Sequence, residues 1–123
     1  MRAALLAATM LALVASPHAG AAAPDPGRYD GLLCVATRPG AEPTCGSVEV
    51  ELRSGGRIVV RVADIVYHLV LGRGQLAVAT LHGPMQIDEF DAPYEWQGQT
   101  LRFSDPAKAV RYEVRFGARL QPR

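Results

Sequence analysis

From residue 29 onward, apolar and polar side chains alternate with a period of two, the pattern of strands with one face in a core. Breaks of Gly, Pro, Ser and Asp recur every eight to twelve residues, as in an antiparallel meander. The clearest hairpin spans 47–63. Val48, Val50 and Leu52 share one face, and Ile58, Val60 and Val62 follow after Ser54-Gly55-Gly56. A three-residue loop at 54–56 pairs Leu52 with Ile58, Val50 with Val60 and Val48 with Val62, and sets Glu49 across from Arg61. A slip of one residue would turn every side chain to the wrong face, so this register is predicted with a glycine in the left-handed position.

Further strands are predicted at 29–37, 65–71, 75–82, 85–90, 94–97, 100–104 and 110–116, with a turn at Asp91-Ala92-Pro93. In the last of them Val110, Tyr112, Val114 and Phe116 point in, and Arg111, Glu113 and Arg115 point out. IVYHLVL (65–71) is apolar on both faces and reads as a central strand covered on both sides. Its pairing with 75–82 tolerates either register. No amphipathic helix of ten or more residues is present. The expected fold is all-β: a single small antiparallel barrel, or barrel-like meander, of about eight short strands. A two-sheet β-sandwich is the alternative.

The first 23 residues follow a different rule. Arg2 precedes an apolar stretch from Ala3 to Ala15, Pro17 ends it, and two Ala-x-Ala sites follow between Ala19 and Ala23. This is the pattern of a cleaved Sec signal peptide, with cleavage near Ala21 to Ala23, and its apolar stretch is too short for a membrane span. Residues 24–123 form the mature single domain, expected in the periplasm or outside the cell. In that compartment Cys34 and Cys45 should join in one disulfide across a loop rich in Pro and Gly.

Composition then narrows the function. The chain carries 13 Lys+Arg against 12 Asp+Glu, and loss of Arg2 with the leader brings the formal charge from +1 to zero. A neutral surface of interleaved signs argues against a nucleic-acid partner. Neither a phosphate-binding loop nor a dinucleotide fingerprint occurs, and no metal or cofactor site is expected.

Some residues are candidates for binding. His68 lies on the apolar strand, where a histidine suits a barrel interior. A three-residue loop at 72–74 would put it across from Val78 and bring His82 opposite Asp64. A carboxylate orienting an imidazole is half of a catalytic arrangement, but Ser47, Ser54 and Ser104 stand in no nucleophile motif, so no catalytic residue is assigned. Asp88, Glu89, Asp91 and Glu95 interleave with Phe90, Tyr94 and Trp96. Tyr94 and Trp96 share a strand face, either in the core or in a patch of the kind enriched at protein interfaces.

The expected function is therefore that of an exported, non-enzymatic binding protein of the cell envelope, acting on a partner protein or inhibiting an enzyme through Asp88, Glu89, Asp91, Tyr94 and Trp96, with His68 and His82 as further contacts. The alternative is a barrel that carries a small apolar ligand, and a hydrolase is a more distant one. In size and single disulfide the chain resembles barrel-type lysozyme inhibitors, and in strand count lipocalin-like barrels. Both comparisons rest on architecture alone, which does not carry function.

Overall fold

The computed structural model describes residues 23–120. The leader, residues 1–23, lies outside the described residues except for Ala23. The described chain is all strand: β1 (Gly27–Ala36), β2 (Thr44–Arg53), β3 (Arg57–Val62), β4 (Ile65–Leu71), β5 (Gln75–His82), β6 (Met85–Gln97), β7 (Thr100–Asp105) and β8 (Val110–Arg119). Each pairs antiparallel with the next, and β8 returns to β1, closing an up-and-down barrel.

The β2–β3 hairpin has the register its alternation predicts: Glu49 opposite Arg61, Val50 opposite Val60 and Leu52 opposite Ile58. Gly55 and Gly56 carry the positive φ angles of the turn, 80° and 76°. The charges do not follow the ladder rung by rung. Arg61 reaches diagonally to Glu51 at 3.6 Å, while Glu49 takes Arg28 of β1 at 3.2 Å.

Two local expectations are corrected, and one register left open by the sequence is fixed. Residues 91–93 do not turn. Ala92 is fully buried opposite Leu76, and β6 runs on as one strand of 13 residues. Pro93 marks a change of partner: up to it β6 pairs with β5, and from Tyr94 to Gln97 it pairs with β7. A residue without an N–H fits where one ladder ends and the next begins.

The β4–β5 hairpin is one residue out of the three-residue-loop register. The Gly72 N–H donates to the Gln75 carbonyl at 2.8 Å, so Arg73-Gly74 is a two-residue turn with Gly74 at φ 75°. Leu71, Leu69 and Tyr67 thereby face Leu76, Val78 and Thr80, all on the inner side. The second correction is that β4 has only one covered face. Leu69 is buried, whereas Val70 on the opposite face is 49% exposed and His68 beside it is exposed too.

The barrel interior is filled by side chains. Leu52, Ile58, Leu69, Val78 and Phe90 stand side by side across five strands, and Trp96, Leu101, Val114 and Leu33 across four. Rings from different walls meet in the middle: Tyr67 of β4 and Phe90 of β6 lie 6.2 and 5.9 Å from Tyr112 of β8. Towards the other end Phe116 packs edge-on to Tyr29 at 5.2 Å and against Trp96 at 5.6 Å. An eight-stranded barrel has an interior just wide enough for such filling. Gly31 is required where β1 bulges against β8, because a Cβ there would lie 2.6 Å from Val50 Cγ2 and 2.8 Å from the Arg115 carbonyl oxygen.

Candidate functional site

With the lumen occupied, a cavity lies on the outer wall. It is a groove of about 340 Å³ crossing β6, β7, β8 and β1, with Pro43 at the end of the β1–β2 loop on its rim. Its shape follows from two adjacent rows of outward residues. In one, Cys34 of β1 stands beside Glu113 of β8, which stands beside Arg102 of β7, which stands beside Glu95 of β6. In the other, Ala36 stands beside Arg111, and Arg111 beside Ser104. Small side chains at 34, 36 and 104 make the floor, and the long arginines make the walls.

The two rows differ in charge balance. Arg102 bridges Glu113 at 3.3 Å and Glu95 at 3.7 Å, and Glu113 also takes Arg115 at 3.1 Å. Arg111 has no carboxylate within ion-pair distance among the described residues. Its guanidinium donates only to the Ala41 carbonyl oxygen, at 3.5 Å. A guanidinium offers a planar fork of donors suited to a carboxylate or phosphate, and most of that capacity is unused here.

The groove is pinned by the disulfide. Cys34 and Cys45 face each other directly on β1 and β2 and are bonded, with no free cysteine in the chain. The bond closes the loop that carries Arg38, Ala41 and Pro43, and it is consistent with an oxidising compartment.

The acidic and aromatic residues of β6 separate across the wall. Phe90, Tyr94 and Trp96 point inward, partly buried against the core, and the Tyr94 hydroxyl donates to the Gly72 carbonyl oxygen at 2.7 Å. Glu89, Asp91 and Glu95 point outward and are exposed. Asp88 goes inward with Phe90 by the same alternation, opposite the buried Thr80, and it accepts from Lys108 Nζ at 2.9 Å. The patch expected at 88–97 is thus two surfaces, with its aromatic half turned into the barrel.

At the same end of the barrel, Tyr67 and Tyr112 point in near Asp88. Burial pushes the Tyr112 phenol up to about 12, with Tyr67, Asp105 and Asp88 adding to the effect. Burial, then Asp88, raises Tyr67. Asp105 is 1% exposed, and its Oδ1 accepts from the Ala107 and Lys108 N–H groups, holding the β7–β8 turn.

His68 belongs to the outer wall of β4 and not to the interior. His82 sits on the rim and meets Asp64 at 2.8 Å. The pair forms although the register is shifted, because Asp64 lies in the turn just before Ile65, the residue opposite His82. Its hydrogen bond is the main influence holding the Asp64 carboxyl below its ordinary value. No hydroxyl bonds to His82 among the described residues, so the pair lacks the nucleophile a hydrolytic site needs. No group of three or more His, Cys, Asp or Glu side chains stands close enough to hold a metal ion among the described residues.

Arg102, Ser104, Arg111 and Glu113 were not singled out by sequence reasoning. Alternation shows that Arg111 and Glu113 face outward, but their neighbours on β1 are set by barrel closure, which no local pattern reveals.

No protein-family model matches the chain, and neither a curated protein nor a solved structure matches it.

Proposed function

We propose that the protein is an exported, non-enzymatic binding module of the cell envelope, in the periplasm where the cell is bacterial, whose outer groove holds an extended acidic segment of a partner protein. The observation that carries this reading is Arg111, an unpaired guanidinium between the small residues Ala36 and Ser104 in the groove. Its fork suits a carboxylate of the partner, and in the neighbouring row both carboxylates, Glu113 and Glu95, are held by Arg102, which leaves Arg111 as the cation free to meet it. The disulfide and the filled core make the surface rigid, which lowers the ordering cost of binding. The aromatic meetings inside the barrel give no support to carriage of an apolar ligand.

The test is a variant that fills the groove. Ser104→Trp projects from the outer wall and leaves the core composition unchanged. Tagged mature protein is used to capture partners from an envelope extract of the producing cell. The reading expects a discrete captured species that Ser104→Trp abolishes while the near-UV circular dichroism is retained. Capture that is indifferent to the substitution would overturn it.

A further inference from the structure

The groove leaves the opposite wall unexplained. Three rows of outward residues cross β3, β4, β5 and β6: Arg57, Val70, Ala77, Asp91; then Val59, His68, Ala79, Glu89; then Arg61, Val66, Leu81, Gln86. The middle two strands carry only aliphatic side chains and His68 on this face, and among the described residues no second layer covers them; Val59 beside them is already buried by its neighbours. Val70 is 49% exposed, and Met85 and Ile87 at one end of the wall are 65% and 53% exposed. The flanks have opposite charge. Arg57 has no carboxylate partner on one edge, and Asp91 has no cationic partner on the other, among the described residues.

We propose that this wall is a self-association surface and that its occupant is a second copy of this chain, related by a two-fold axis running along the strands between β4 and β5. The argument is self-complementarity. Such an axis lays each row of one copy over the same row of the other, read in the opposite direction. Arg57 then meets Asp91 of the partner subunit, and Asp91 meets the partner's Arg57. Size matches as well as charge: Val70 lies over the partner's Ala77, and His68 over the partner's Ala79. A two-fold axis across the strands through the middle row would lay β3 over β3 and set Arg57 against the partner's Arg61, so the charge pattern selects one orientation.

The size of the surface fixes the strength. Three rows on four strands cover about 400 Å² at the usual strand and residue spacings. A stable complex buries about 800 Å² per partner, so the dimer is weak and reversible.

Sedimentation equilibrium of the mature protein tests this. The expected result is a monomer–dimer equilibrium within the range up to about 1 mM chain. Arg57→Asp and Asp91→Arg, both exposed sites, each weaken association by about tenfold or more. The double variant Arg57→Asp with Asp91→Arg restores it, because each reversed charge meets the other's reversed partner. A chain that stays monomeric throughout the range would overturn the proposal. So would a dimer indifferent to the single reversals, or one that the double variant fails to restore.

Discussion

Arg111 and Ser104 face each other across the β7–β8 ladder, a long cation opposite a small hydroxyl, with Ala36 on the other side of the cation. In the next row the corresponding cation, Arg102, is held by carboxylates on both sides. The two arginines share a wall but differ in what the fold asks of them. Arg111→Ala should change stability by less than about 0.5 kcal/mol, as for a surface residue whose single protein contact is a long hydrogen bond to the Ala41 carbonyl oxygen. Arg102→Ala should cost about 0.5–1 kcal/mol, because it breaks a small network of exposed pairs. Urea unfolding of the two variants checks the contrast.

The Cys34–Cys45 bond closes a loop with a sequence separation of 11. Restricting the unfolded chain by a loop of that size is worth about 3 kcal/mol. The double variant Cys34→Ala with Cys45→Ala should lose about that much in urea unfolding. The loss should come with faster amide exchange in residues 37–43, the loop above the groove.

Backbone conformation gives a pair of opposite outcomes. Ala63, in the β3–β4 turn, has a φ of 53°, where a Cβ is strained. Ala63→Gly should therefore raise stability by about 0.5–1 kcal/mol. Gly31→Ala should lower it by about 1–3 kcal/mol, since the new methyl meets Val50 and the Arg115 backbone. Thermal unfolding of both variants reads the two signs.

Among the four tyrosines, Tyr112 and Tyr67 should ionise late in a near-UV absorbance titration. Burial raises the folded value of Tyr112 from 10.0 to about 12, so the folded state keeps a proton that the unfolded state has released. Its contribution to stability is full below pH 10 and falls away as the pH rises towards 12. Tyr112→Phe should remove that fall while leaving neutral-pH stability little changed, since no hydrogen bond to the Tyr112 hydroxyl is made by the described residues.

The barrel was legible where one face alone is apolar. Val48, Val50 and Leu52 against Ile58 and Val60 leave a single register, and the hairpin has it. Around IVYHLVL the pattern failed because both faces are apolar. Sequence cannot say which of His68 and Tyr67 points outward when the turn length is open. The Arg73-Gly74 turn decides it. Pro93 read as a break because proline ends ladders. It ends one here too, but the strand continues by taking up β7. The acidic and aromatic candidates on 88–97 were found by type, and the core alternative for Tyr94 and Trp96 is the one the barrel adopts; alternation adds Asp88 to that inner face and leaves Glu89, Asp91 and Glu95 outside. The groove escaped notice because Ala36 and Arg111 lie far apart in the chain and meet only when β8 closes on β1.

The central claim is that the groove around Arg111 is where a partner binds. The most direct measurement places a photo-crosslinking amino acid at position 104 of the exported protein and irradiates intact cells. The account predicts one discrete heavier adduct that disappears when Arg111→Glu is added, and none from the same probe placed at Asp30. Equal adducts from both positions, or an adduct at 104 that survives Arg111→Glu, would contradict it.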